Sequence, residues 1–247
     1  MAGIGLEFME KTRYRHLGPS DQQQGVEQPP LQIALVEGPA VALPDPAAIE
    51  IGRIDLREAI ERRRSLRAYD ARAFSLEELS FLLWSTQGVR ESVPDRATFR
   101  TVPSAGARHP FETVVFARRV DGLNEGLYQY RAIEHRLIEL PTPSDVGDRM
   151  TAACLGQEIV RTNAVTFLWI ADSVRMTWRY GERGFRYLHL DAGHVCQNLY
   201  LAAEAIGAGA CAIGAFDDDE VNGLVGLDRP DRFAVYLAAV GKRAAEG

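Results

Sequence analysis

The order of helix and strand signals along the chain predicts an α+β fold, because they do not follow the regular strand-helix-strand alternation of a doubly wound sheet. Two segments anchor that reading. Ala164 to Ala171 is a strongly apolar strand. Phe185 to Ile206 carries Leu188, Ala192, Val195, Leu199, Ala202 and Ile206 at steps of three and four, the pattern of a long helix with one buried stripe.

Residues 1 to about 50 are rich in Pro, Gln and Gly, as in Gly18-Pro19-Ser20-Asp21 and Gln28-Pro29-Pro30, and predict an extended N-terminal arm with little helical periodicity. The arm still carries Leu6, Phe8, Met9, Tyr14 and the run Leu31 to Val36, apolar content that implies packing against the body or a partner subunit. The body, residues 51–247, opens on Asp55-Leu56-Arg57-Glu58. An N-cap Asp and a Glu at the third helical position there satisfy the free N–H groups of a short helix running to about Arg63. Ser75-Leu76-Glu77-Glu78 repeats the capping pattern before Leu79, Leu82, Leu83 and Trp84, and Gly88 is placed to end that helix. Strands are expected at Thr113 to Ala117, Gly126 to Tyr130 and Arg136 to Leu140, followed by a helix near Asp148 to Val160. Beyond the long helix, a Gly-rich turn (Gly207 to Gly214), an acidic helix start (Asp217 to Glu220) and a last strand (Phe233 to Val240) complete one domain without internal repeats.

The chain has 247 residues, 46% hydrophobic and 25% charged, which suits an ordinary globular core and neither disorder nor a fibrous repeat. A net charge of -6 argues against a nucleic-acid scaffold, which needs a broad basic surface. Cys154, Cys196 and Cys211 are odd in number and widely spaced, a pattern of reduced thiols rather than a disulfide framework or zinc site. No segment has the length of a signal-peptide core or a membrane span, so a cytoplasmic protein with neither a membrane nor a nucleic-acid partner is expected.

Arg62-Arg63-Arg64-Ser65-Leu66-Arg67 gathers four guanidinium groups and a hydroxyl at a helix end. Arginine forks bind phosphate oxygens bidentately, yet cations also collect at helix C-termini to meet the dipole, so the cluster alone fits either a phosphate pocket or a solvated basic face. Pro103-Ser104-Ala105-Gly106 precedes a strand as a small-residue loop that lets backbone approach a planar ligand. Val102 stands where a hydrolase nucleophile elbow needs Gly, which excludes a serine hydrolase. Gly207 to Ala212 lies one residue from a dinucleotide fingerprint but follows a helix, the reverse of the required order. Asp191, His194 and Asn198 share one side of the long helix and read as a partly buried, hydrogen-bonded histidine rather than a metal site. Trp178-Arg179-Tyr180-Gly181-Glu182-Arg183 reads as a charged, aromatic loop able to bring a phenol and a cation to a pocket.

In sequence order, R-R-S-x-R-x-Y (Arg63 to Tyr69), P-S-A-G-A-R-H-P (Pro103 to Pro110), R-Y-G-E-R-G-F-R-Y (Arg179 to Tyr187), A-G-H-V-x-Q-N-L (Ala192 to Leu199) and G-A-C-A-I-G-A-F-D (Gly209 to Asp217) resemble the SagB/ThcOx-type branch of the nitroreductase superfamily. Phe8 to Tyr14 is similar to that branch's N-terminal arm. The resemblance spans roughly residues 50 to 243 and implies a central, mainly antiparallel sheet wrapped by helices, in a homodimer with FMN at each subunit interface.

Carried over by position, Arg63, Arg64, Ser65 and Arg67 would bind the FMN phosphate and ribityl chain, with Lys242 or Arg243 closing the phosphate site. Pro103, Ser104, Ala105 and Gly106 would approach the isoalloxazine from the other subunit. Ala212, Ile213, Gly214 and Ala215 would lie beside flavin N5 and O4. The implied activity is hydride transfer through flavin N5, with NADH or NADPH as a possible donor and a small-molecule or peptide substrate. In members that oxidise peptide azolines, the position of Arg179-Tyr180 reads Lys-Tyr. Arginine stays protonated and is a poor general base, which leaves Tyr180 as the proton-transfer residue, Arg179 as an anion-orienting one, and the azoline assignment weaker. A flavin-binding protein without turnover is the remaining alternative.

Overall fold

A computed structural model describes residues 3–51 and 53–244; the body's expected limit at Gly247 lies outside the described residues. The arm contributes α1 (Ile4–Lys11) and β1 (Ala40–Ala42). The body follows with α2 (Leu56–Arg62), α3 (Leu76–Gln87), a hairpin of β2 (Val89–Val93) and β3 (Ala97–Arg100), and the meander β4 (Phe111–Ala117), β5 (Gly126–Arg131) and β6 (Arg136–Glu139). Next come α4 (Val146–Ala153), α5 (Glu158–Thr162), β7 (Val165–Asp172), α6 (Ser173–Tyr180), α7 (Gly184–Ala205), β8 (Ala208–Ile213), α8 (Asp218–Val225) and β9 (Arg232–Lys242).

Asp55 caps α2 by accepting from the N–H groups of Arg57 and Glu58, and Ser75 with Glu78 closes a complete capping box on α3. Local chemistry therefore starts both helices where the sequence predicts. The main sheet has the order β1-β6-β5-β4-β7-β9-β8 with every neighbouring pair antiparallel, the α+β arrangement expected.

Every residue of β7 is buried, because helices cover both faces of the sheet. Phe167, Trp169 and Ala171 enter one core with Leu82 and Leu83 of α3 and Leu188, Val195 and Leu199 of α7. Leu168 and Ile170 enter the other with Met150 of α4, Val160 of α5 and Leu224 of α8. The period-two alternation of a strand thus feeds two cores. The predicted stripe of α7 is buried throughout.

Four local expectations change. The single helix near Asp148 to Val160 is two, broken where Leu155 and Gly156 take positive φ of 57° and 72°. Gly207 to Gly214 is mostly the edge strand β8 rather than a turn: Gly209 carries no side chain because Leu66 packs there, 2.6 Å from where a Cβ would stand. The segment Trp178 to Arg183 is helical, as the end of α6 and a 3-10 turn at Gly181–Arg183. The N-terminal arm is not uniformly extended, since it forms α1 and supplies β1 to the sheet edge. It lies along the body, with Ile33 N–H donating to Glu112 at 3.0 Å, Leu35 N–H to Gln129 at 2.9 Å, and Arg183 Nη1 to the Thr12 carbonyl at 2.9 Å. Cys154, Cys196 and Cys211 are all free and buried. Among the described residues no helix is long and apolar enough to cross a membrane.

Candidate functional site

The basic segment leaves α2 at Arg63 and runs beside the sheet edge, with Leu66 N–H bonded to the Ala210 carbonyl at 2.9 Å and Asp70 N–H to the Lys242 carbonyl at 2.9 Å. That path carries the arginines to the ends of β8 and β9. Tyr200, from α7, joins the parts: its hydroxyl lies 3.0 Å from Ser65 Oγ and accepts the Ala212 N–H at 2.8 Å, and Arg63 sits over its ring at 5.3 Å. Ser65, Arg63 and the end of β8 are therefore neighbours, although Ala212 spends its N–H on Tyr200 rather than leaving it for a ligand. Ile213 is buried in the ladder opposite Leu237, while Gly214 and Ala215 are exposed just beyond it.

Arg64 and Arg67 are exposed, and Arg63, Arg64 and Arg67 form no ion pair with a carboxylate among the described residues. Arg57 and Arg72 on either side do, with Glu61 and Asp70. The arginines aligned with Ser65 are thus the ones whose charge is uncompensated, and guanidinium forks with a nearby hydroxyl suit a phosphate dianion. Lys242 and Arg243 stand differently. Lys242 pairs with Glu78 and lies over the Phe74 ring, and Arg243 pairs with the buried Glu204 and donates to the Ala208 carbonyl at 2.9 Å. Both cations are already neutralised, so closing a phosphate site would require one of these pairs to open.

The second group surrounds the Ser104 loop. Ser104 Oγ donates to Asp191 Oδ2 at 2.5 Å, Ala105 N–H donates to Asp191 Oδ1 at 3.3 Å, and His109 N–H returns to Ser104 Oγ at 2.9 Å. Burial raises the Asp191 pKa, opposed by the bonds from Ser104 and Ala105. Gly106 has φ 59°, and a Cβ there would lie 2.5 Å from the Tyr180 hydroxyl and 2.8 Å from Arg179 Nε. Glycine at 106 therefore lets the loop close onto Arg179 and Tyr180, while Pro103 stays exposed. Behind the loop, Arg108 donates to the Gly106 carbonyl at 3.2 Å and sits over the Trp178 ring at 5.3 Å; burial and the Arg179 charge lower its pKa.

One chain thus assembles two groups: Arg63, Arg64, Ser65 and Arg67 with the end of β8, and residues 103–106 with Arg179 and Tyr180. They meet opposite parts of α7. Asp191 and Tyr200 are nine residues apart, about 13 Å along the helix and roughly half a turn around it.

Sequence reasoning missed Tyr200, although a phenol inside a buried helical stripe signals a hydroxyl in need of a partner. It also linked Asp191, His194 and Asn198 by mutual hydrogen bonds, whereas Asp191 bonds the Ser104 loop, Asn198 donates to the Ser85 carbonyl at 2.9 Å, and His194 is exposed rather than partly buried.

Three likenesses bear on this geometry. A protein of Methanocaldococcus jannaschii named as a nitroreductase is 36% identical over 203 residues, covering 82% of this chain and 96% of its own length. The trifolitoxin-processing protein TfxB of Rhizobium leguminosarum bv. trifolii is 30% identical over 133 residues, which are 52% of this chain and 36% of that protein. The crystal structure of a nitroreductase from Anabaena variabilis superposes with a TM-score of 0.64 at 30% identity, covering 75% of this chain and 37% of that one. This chain thus spans little more than a third of the latter two proteins. The sequence profile of the nitroreductase family matches residues 60–242, from the end of α2 to the end of β9, and so takes in both groups of residues; the chain belongs to the nitroreductase family.

Proposed function

We propose that the chain is an FMN-dependent oxidoreductase, built as a homodimer in which the arginine group of one subunit and the Ser104 group of the other face a shared flavin. The observation that carries this reading is the set Arg63, Arg64 and Arg67, which has no carboxylate partner among the described residues and flanks Ser65, whose partner Tyr200 also holds Ala212, two residues before the exposed Gly214-Ala215. When bound, FMN supplies a hydride acceptor and donor at N5.

The chain's own residues would do the rest. Arg64 and Arg67 bind the phosphate, Ser65 adds a hydroxyl, and Gly214 and Ala215 offer backbone to the polar edge of the ring. Tyr180 moves a proton at its hydroxyl, and Arg179 orients an anion beside it. Support for two subunits comes from α7, since groups on opposite sides of one helix do not converge on one ring within a chain. Leu56, Ile60 and Leu190 are exposed apolar side chains of α2 and α7 that a second copy would cover.

Purified protein should be yellow, release FMN on denaturation and sediment with twice the chain mass. A colourless protein that takes up no supplied FMN contradicts the reading. NADH and NADPH are tested as donors by anaerobic bleaching of the flavin.

A second reading, azoline oxidation on a peptide, has the likeness to a trifolitoxin-processing protein in its favour. Arg179 in place of a basic lysine speaks against it. Flavin bleaching by a thiazoline peptide, and by neither nicotinamide, would reverse that preference.

A further inference from the structure

Between the arm and the end of α6 lies a cavity of about 410 Å³, walled by Tyr14, Ser20 and Gln23 on one side and by Arg179, Tyr180 and Arg183 on the other. The arm is fixed there by backbone and side-chain bonds. Gln22 N–H donates to the Trp178 carbonyl at 2.9 Å, and Trp178 Nε1 donates to the Val26 carbonyl at 2.9 Å. The cavity abuts the Ser104 loop, because Tyr180 and Arg179 pack directly on Gly106.

Its charge is one-sided. Arg179 makes neither a hydrogen bond nor an ion pair among the described residues; it packs on Gly106 and lies over the Tyr180 ring, 5.8 Å from its centroid. Arg183 bonds the Tyr187 hydroxyl at 2.9 Å and the Thr12 carbonyl at 2.9 Å, groups that leave its charge uncompensated, and it covers the Tyr14 ring at 4.3 Å. Arg108, behind them, bonds only carbonyl oxygens. Among the described residues no carboxylate lines the cavity, and Glu182 forms no ion pair with these arginines. Two cations held among phenol rings, with neutral polar side chains opposite, suit a planar anion whose carboxylate meets a guanidinium fork and whose ring meets tyrosine.

We propose that this cavity takes the carboxylate end of an aryl carboxylate substrate, with Arg179 binding the carboxylate and Tyr14 and Tyr180 flanking the ring. The substrate role rests on the flavin-enzyme reading, whereas the binding preference belongs to the cavity alone.

The test measures binding of 4-nitrobenzoate and of its neutral methyl ester by calorimetry, to the protein with whatever flavin it retains. The acid should bind at least about tenfold more tightly than the ester, the scale of one charge-assisted contact. Arg179→Gln should abolish that preference. Gln23→Glu, which adds a carboxylate to the opposite wall, should weaken the acid several-fold and leave the ester unchanged. Equal affinity for acid and ester, or a preference that survives Arg179→Gln, overturns the proposal. A protein that binds no FMN yet discriminates acid from ester would sink the flavin-enzyme reading and keep the anion site; a yellow protein without discrimination does the reverse.

Discussion

Ser104 donates its hydroxyl to Asp191 at 2.5 Å, so a loop of small residues is fastened to the middle of α7 by one carboxylate. The same carboxylate holds the Ala105 N–H at 3.3 Å, and a single residue therefore sets the position of the whole turn. Asp191→Ala leaves a partly buried hydroxyl and N–H without their acceptor, which should lower stability by about 1 kcal/mol. Urea unfolding measures that loss. FMN affinity should fall with it, because the loop that approaches Arg179 and Tyr180 is no longer fixed.

Tyr200 plays the corresponding part in the arginine group. Tyr200→Phe keeps the ring under Arg63 but removes the acceptor of the Ala212 N–H and the partner of Ser65. A stability loss of about 1–2 kcal/mol is expected, together with weaker retention of FMN. Fluorescence titration of released flavin checks the second part; an unchanged flavin affinity would detach Tyr200 from the site.

The arm should depend on Glu112. This buried carboxylate pairs with buried Arg175, accepts from Gln129 at 3.1 Å and holds the Ile33 N–H of the arm at 3.0 Å. Glu112→Ala leaves buried Arg175 with only the Asp172 carboxylate, 3.8 Å away, as counter-charge, a change of about 3 kcal/mol. Thermal unfolding should shift down, and limited proteolysis should cut first between residues 26 and 36.

His109 gives the fold a sensitivity to acid. Burial, reinforced by Arg100 and Arg175, lowers its pKa from 6.5 to about 3. The unfolded chain takes up this proton near pH 6.5 and the folded chain only near pH 3, so the contribution is fully present above 6.5 and is lost as pH falls towards 3. The slope is about 1.4 kcal/mol per pH unit inside that window. Denaturant unfolding across the range should show a shallower slope in His109→Gln than in the parent.

The features legible in the sequence are those set by near neighbours. Caps at Asp55 and Ser75 and the stripe of α7 depend on residues within a turn or two, and each lies where it is predicted. The end of α6, from Trp178, reads as a charged loop in the sequence, and earlier in that helix only the fold supplies the Glu112 and Asp172 carboxylates that let Arg175 be buried. β8 reads as a turn because of its glycine and alanines, and Gly209 is there to admit Leu66, a residue more than a hundred positions away. The candidate site divides in the same way. Arg63, Ser65 and Arg67 were visible as a cluster, whereas their support by Tyr200, and the pairing of Lys242 with Glu78 and Arg243 with Glu204, arise from contacts that no local pattern encodes.

The central claim is that Arg64 and Arg67 hold a flavin by its phosphate, and the most direct test compares FMN with riboflavin, which lacks that phosphate. Flavin retained per chain is measured after gel filtration for the parent and for the double variant Arg64→Ala, Arg67→Ala. The parent should retain one FMN per chain and far less riboflavin. The double variant should lose at least about tenfold in FMN affinity and bind riboflavin as the parent does. A parent chain that retains no FMN, or that binds FMN and riboflavin equally, would contradict the account.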